Sequence, residues 1–485
     1  MFRLNIRFVL KVLGLMHIIE SFFMLGAAGV AFFNQGDDLY PLLLSCGIMS
    51  GAGILFYLTG RTANESRIGG REGMVAVSLT WTLFSFFGMM PFYLGGYIPS
   101  FTDAYLETMA GFTTTGSTVL NHIETLPRGI LVWRSLTQWQ GGIGIIVFTI
   151  ALMPLFGGTA MQLFDAEISG ITHEHFMPRV TQVAKRVFGI YFVMTCILIL
   201  LLWAGPMDLF DAVNHGLTTI STGGYSTKDT SIAYWHSPYI EYVIGIFMCL
   251  GATNITLVYF TCKGNIKKLW HDDEFRWFYS IVFICTALVT VWLMFMHLKD
   301  NPEEAFRKSF FQVVSLITST GFGIENYMQW GAFFTIIALM LMVTGGCAGS
   351  TAGGLKMGRF VILVKNMFAE LKKQTHPNAL IPVRVSGRVV PSHVVQRVQT
   401  FAFAYMSLAI VGCTVLVLDG LVFDEALGLS VSAIGNIGPA IGKYASGNYA
   451  DLPVLSKWVV SFLMMTGRLE IFTILTILLP GFWKQ

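Results

Sequence analysis

The sequence predicts an all-α integral membrane protein. It would have ten transmembrane helices and four re-entrant pore half-helices, arranged as four span, half-helix, span repeats in a pseudo-fourfold arrangement around one pore. Three observations lead there. Of 485 residues, 54% are hydrophobic and only 12% are charged, about half the ~25% usual for soluble domains. The apolar residues fall in runs near 20 long, the length that crosses a hydrocarbon core of ~30 Å as a helix. Four shorter apolar segments, each roughly 12 residues, sit between two such runs, too short to cross and suited to entering the membrane and stopping.

In chain order, spans read near 8–33, 39–59, 73–97, 130–156, 187–206, 239–262, 277–298, 331–370 (interrupted), 398–419 and 455–480. The N-terminal run MFRLNIRFVLKVLGLMHIIE has the charge and hydropathy of a signal peptide. No A-x-A-like cleavage site follows and the apolar run is long, so it reads as the first span. The half-helices read near 101–112, 208–219, 304–317 and 423–434. Two extra N-terminal spans (1–60) then precede pore repeats at 61–157, 158–263, 264–372 and 373–485. By this segmentation one side of the membrane receives roughly 22 lysines and arginines and the other roughly seven, which places the first side and both termini in the cytoplasm. The half-helices then enter from outside. A net charge of +3 gives no reason to expect nucleic acid as a partner; the partner is the lipid bilayer. The seven cysteines are scattered without a CxxC pair and read as small membrane-buried residues.

Each half-helix is followed by a short glycine-containing stretch: TTTGS at 113–117, ISTGG at 220–224, TSTGF at 318–322 and GNIGP at 435–439. Aligned on Gly116, Gly223, Gly321 and Gly438 they repeat at intervals of 107, 98 and 117 residues. Irregular backbone is tolerated at membrane depth only where it lines a water-filled path. Four such loops around one axis can turn their carbonyls inward and replace the hydration shell of a monovalent cation. Glycine permits the backbone angles this requires, and hydroxyls can add oxygens. The predicted selectivity filter is Thr113, Thr114, Thr115 and Gly116; Ile220, Ser221, Thr222 and Gly223; Thr318, Ser319, Thr320 and Gly321; and Gly435, Asn436, Ile437 and Gly438. No fixed charge sits in these stretches, which suits a site that must also release its ion.

A second signal is GGCAGSTAGG at 345–354. It lacks the glycine-lysine pair and preceding strand of a phosphate loop. Its glycines, Gly345, Gly346, Gly349, Gly353 and Gly354, each cost a helix ~1 kcal/mol relative to alanine. The segment is therefore expected to leave the helix, face the pore and act as a gate below the filter. Arg468 lies near the middle of the last predicted span, where a charge needs a partner. Glu470 would lie about 200° around a continuous helix, so the expected partners are carbonyls of 345–354. His173, Glu174 and His175 read as a solvated loop, and His17 with Glu20 as a structural pair one helical turn apart. Lys365, Lys372, Lys373, Arg384, Arg388 and Arg397 form a basic stretch that suits the positive-inside rule or a docking surface.

The stretch WRSLTQWQGGIGIIV (133–147), with MAGFTTTGST before it and GGCAGSTAGGLK after, resembles the Trk, Ktr and HKT superfamily of potassium transporters, and within it the bacterial TrkH family. So does the fourfold arrangement with one glycine per filter stretch. The resemblance covers essentially the whole chain. It implies potassium uptake across the bacterial inner membrane by a channel-like subunit that binds K+ in the filter and is not an enzyme. It also implies a homodimer with one pore per subunit, gated by a cytoplasmic TrkA-like ring that alone carries a nucleotide (NAD or ATP). The fourth stretch departs from the others, with Asn436 and Ile437 where they have hydroxyls. A rival reading is a secondary transporter coupling K+ to H+ or Na+, which needs titratable groups inside spans; few are evident besides Glu20, Arg468 and Glu470. A membrane-embedded enzyme is disfavoured because no nucleophile, metal set or acid pair converges.

Overall fold

Away from water a chain must satisfy its own backbone groups, so the apolar runs fold as helices. In a computed structural model, which describes residues 4–63, 69–152 and 176–484, they form α1 (Ile6–Phe33), α2 (Leu39–Gly60), α3 (Gly70–Gly88) with its short continuation α4 (Met90–Leu94), α5 (Phe101–Phe112), α6 (Arg128–Leu152) and α7 (Phe176–Trp203). Next come α8 (Leu209–Ile220), α9 (Pro238–Gly251), α10 (Ile255–Cys262), α11 (Ile266–His271), α12 (Asp273–Phe295), α13 (Pro302–Ile317), α14 (Ala332–Thr344) and α15 (Met357–Thr375). The chain closes with α16 (Ser392–Leu418), α17 (Phe423–Gly435), α18 (Val454–Arg468), α19 (Ile471–Leu478) and α20 (Pro480–Trp483). Among the described residues six helices are long and apolar enough to cross a membrane, and two bent pairs pass the same test together. Phe283, Val291, Phe295, Phe403 and Ile410 stand exposed on helix sides, an apolar surface suited to lipid.

The first two helices pack as a close antiparallel pair through small residues. A Cβ on Gly14 would lie 2.4 Å from the Tyr57 amide nitrogen, and one on Gly60 would lie 2.3 Å from that of Lys11. Such contact is how membrane helices associate when apolar burial gives no net drive.

Three readings change. The predicted spans at 239–262 and 455–480 are both broken: α9 and α10 meet at 106°, and α18 and α19 at 114°. The first break is capped by Asn254, whose side chain accepts from the Thr256 and Leu257 amides. The second falls at Leu469 and Glu470, the latter in the left-handed region at φ +59°. Arg468 therefore ends a helix at the break, and the helical-wheel argument about Glu470 does not apply. Glu470 instead pairs with Arg359 at 2.6 Å. The all-α reading also gains a small exception. Arg384–Val385 and Arg388–Val389 form an antiparallel hairpin within the basic stretch, turned by Ser386 and Gly387 at φ +49° and +79°. His173, Glu174 and His175 lie outside the described residues.

Candidate functional site

The site is built on the four short helices. Three start on a side-chain cap: Ser100 accepts from the Asp103 amide, Asp208 from that of Asp211, and Asn301 from that of Glu303. All four end in one backbone pattern. A non-glycine residue turns into the left-handed region at Thr114 (φ 53°), Thr222 (52°), Ser319 (53°) and Asn436 (54°). Two residues on stands a positive-φ glycine: Gly116 (81°), Gly224 (80°), Gly321 (79°) and Gly438 (93°). The amides of Thr115, Gly223, Thr320 and Ile437 reach back to the carbonyls of Ala110, Thr218, Ser315 and Ser432 at 2.8–3.0 Å.

This pattern corrects the second stretch by one residue. Its counterpart of Gly116 is Gly224, not Gly223, and the set reads Ser221, Thr222, Gly223 and Gly224. Ile220 is instead the last residue of α8. The adjacent glycines made the sequence ambiguous, and matching letters favoured the wrong one. Backbone angle and hydrogen-bond register settle it.

The four glycines close a ring. A Cβ on Gly116 would lie 1.9 Å from the Gly223 carbonyl oxygen, one on Gly224 1.9 Å from that of Thr320, one on Gly321 2.1 Å from that of Ile437, and one on Gly438 2.5 Å from that of Thr115. Each stretch thus abuts the next, and the fourth abuts the first. The carbonyls at these contacts occupy one equivalent position in all four stretches.

The hydroxyls mostly brace the loops and are not left free as extra oxygens. Thr113 Oγ1 donates to the Met109 carbonyl at 2.6 Å and pairs with Thr115 Oγ1 at 2.8 Å. Thr318 does the same with Val314 and Thr320 at 2.7 and 2.8 Å. A hydroxyl beside the last carbonyls of a helix closes on them. Asn436, the departing residue, donates to Thr115 Oγ1 at 3.2 Å and to the Met464 carbonyl at 2.8 Å, tying the fourth stretch to the first and to α18.

Behind the first stretch lies a buried ion pair that the sequence reading passed over. Arg134 on α6 meets Glu107 on α5 at 2.6 Å, their side chains 3% and 1% exposed. Glu107 also accepts from the Thr118 hydroxyl and the Val119 amide, and Arg134 donates to the Ser226 carbonyl at 2.8 Å and lies over the Tyr225 ring. The signal was present: two charges in apolar helices at membrane depth. On the side where the chain leaves the glycines, a cavity of about 440 Å³ opens, lined by Gly116, Gly224, Gly321, Arg134 and Gln312 among others.

On the opposite side lies 345–354, between α14 and α15. Thr351 Oγ1 reaches the Ile220 and Gly251 carbonyls at 3.0 and 3.1 Å. The Gly353 amide donates to Ser319 Oγ at 2.6 Å, and a Cβ on Gly353 would lie 2.2 Å from the Gly435 carbonyl oxygen. Gly345, Gly349 and Gly354 have positive φ, and Gly346 would place a Cβ 2.6 Å from that of Ala352. The segment therefore meets the ends of α8, α13 and α17. The freed backbone at the α9 break bonds to it as well, the Cys347 amide to the Ala252 carbonyl at 2.9 Å. Arg468, buried, donates to the Thr351 carbonyl at 2.8 Å and to the Gly141 carbonyl of α6 at 2.7 Å. Arg468 thus ties the loop, through Thr351, to α6 and α18.

The chain matches the family model of TrkH, described as "Cation transport protein", over residues 52–481. It is 34% identical over 486 residues to the Trk system potassium uptake protein TrkH of Escherichia coli (strain K12), covering 99% of this chain and 100% of that one. It is 32% identical over 491 residues to the Trk system potassium uptake protein TrkG of the same organism, covering 99% of each. The crystal structure of the potassium transporter TrkH from Vibrio parahaemolyticus aligns with a TM-score of 0.91 at 33% identity, covering 99% of each chain.

Proposed function

The chain belongs to the TrkH family of cation transport proteins, and from that premise we propose that it carries potassium through the ring of Gly116, Gly224, Gly321 and Gly438 by a channel-like path. It is a potassium-transport protein and not an enzyme. The observation that carries the reading is the closed ring: four stretches with one backbone pattern, each glycine set against the preceding carbonyl of the next. Carbonyls at that level offer K+ an oxygen cage in place of water, and the absence of fixed charge in the stretches lets the ion leave. The C-terminal ends of α5, α8, α13 and α17 point their partial negative charge at the same place. In this reading ten spans surround the path: α1, α2, α3 with α4, α6, α7, α9 with α10, α12, α14 with α15, α16, and α18 with α19. They divide into the two extra helices and four repeats, with α15 running to Thr375 and so past the 372/373 boundary expected from sequence.

The segment 345–354 is the gate. It packs against three half-helix ends on the side of the ring away from the cavity, and Arg468 holds it while setting a positive charge beneath the ring. Opening requires the loop to leave the carbonyls and hydroxyls it now engages. The subunit works as a homodimer in the bacterial inner membrane, both termini cytoplasmic, and a nucleotide-binding ring docks on its cytoplasmic face. The relatives' names, as members of a Trk system, support a cooperating subunit. The test is purified protein in lipid vesicles. Potassium and rubidium should pass faster than sodium, with a reversal potential that follows the potassium gradient alone. A potential that tracks the proton or sodium gradient would replace the channel-like path with coupled transport.

A further inference from the structure

The second stretch differs from its neighbours in having no side chain at the residue before the ring glycine. Thr115 and Thr320 occupy that position in the first and third, each hydroxyl paired with the residue two before it at 2.8 Å, and Ile437 fills it in the fourth. In the second it is Gly223, followed by Gly224. Gly223 is not among the positive-φ glycines, so its backbone angle does not call for glycine. A peptide flanked by two glycines has the most freedom to rotate its carbonyl, yet this carbonyl abuts Gly116 in the ring.

Gln138, from α6 of the preceding repeat, stands where the missing side chain would be. A Cβ on Gly223 would lie 2.4 Å from Gln138 Cδ and Oε1 and 2.8 Å from Nε2. The Gln138 side chain is buried. Its Nε2 donates to the Gly223 carbonyl at 2.7 Å and its Oε1 accepts from the Tyr225 amide at 3.0 Å. One amide thus grips the backbone on both sides of Gly224, and the two partners fix which end is nitrogen. Tyr225 is held in turn, its hydroxyl donating to the Glu107 carbonyl at 2.5 Å.

We propose that Gln138 is a specificity-determining positioning residue: its amide replaces the side chain that Gly223 lacks and fixes the Gly223 carbonyl in the ring, so that discrimination of potassium from sodium depends on it. The proposal rests on the reading of the ring as the ion filter.

Potassium and sodium fluxes would be measured on the full chain in vesicles for Gln138→Ala, Gln138→Met, Gly223→Thr and the double variant Gln138→Ala with Gly223→Thr. Losing the two hydrogen bonds should lower the potassium-to-sodium ratio ~3- to 10-fold in Gln138→Ala. Gln138→Met, which keeps the volume but neither hydrogen bond, should show the same fall while the protein stays folded at the assay temperature. Gly223→Thr alone should also lower the ratio, because its side chain collides with the Gln138 amide. The double variant, which recreates the arrangement of the third stretch, should recover most of the loss. A folded Gln138→Met with the wild-type ratio, or a double variant no better than the worse single, overturns the proposal. Gly116→Ser is run alongside. If it shifts the ratio and the Gln138 variants do not, the role of Gln138 falls alone. If the wild type carries no potassium, the filter reading falls with it.

Discussion

Replacing Gly116 by serine should cost this protein its preference for potassium, and the structure sets the scale. The added Cβ would lie 1.9 Å from the Gly223 carbonyl oxygen, where ordinary contact begins at 3.4 Å. One of the two must therefore retreat by about 1.5 Å, more than the whole difference in size between sodium and potassium. Gly116 also sits at φ 81°, where a side chain stores about 1–3 kcal/mol of strain. The substitution pushes on a ring carbonyl and on the backbone that aims the Thr115 carbonyl, so two of four equivalent oxygens are disturbed. A loss of ~1.4 kcal/mol in discrimination is a tenfold fall in ratio, and a change of at least that order is expected. The assay is potassium against sodium influx into vesicles, with Gly47→Ser as the control, since a Cβ there meets nothing within 4 Å. A folded Gly116→Ser protein with the wild-type ratio would refute the assignment of Gly116 to the filter.

Arg468→Ala, or removal of part of 345–354, should raise potassium flux in the absence of the regulator, because the Thr351 and Gly141 carbonyls lose their shared donor; flux at or below wild type in a folded variant sinks the gate. Glu107→Ala should destabilise the protein by about 3–5 kcal/mol, since Arg134 is left buried without its counter-charge. Glu107→Gln should lose less by keeping an acceptor for the Thr118 hydroxyl and Val119 amide, and thermal melts in detergent would show equal losses if the charge does not matter. Reversing charge at Lys372 and Lys373 should weaken docking of the cytoplasmic ring at low salt, with the gap to wild type narrowing as salt screens both. A gap that ignores salt removes the electrostatic part of that claim.

By itself the sequence determined the all-helical membrane class, the four short helices, the glycine-bearing turns that follow them and the break at 345–354. These follow from local quantities: run length, hydropathy, and the helix cost of clustered glycines. It also marked Arg468 as needing carbonyl partners, because a guanidinium at membrane depth cannot stay unpaired. Only the tertiary structure decided the register of the second stretch, since Gly223 and Gly224 are the same letter and differ in φ and in which amide returns to Thr218. It alone broke the helices at Ala252 and Leu469, where competing contacts from the loop outweigh an unbroken apolar run. It alone revealed Gln138, an unremarkable polar residue in α6 until the fold carries it 85 positions along the chain to the carbonyl of Gly223. Hydropathy is summed along a sequence, but a ring of carbonyls is set by backbone angles and by atoms from distant segments meeting within 3 Å.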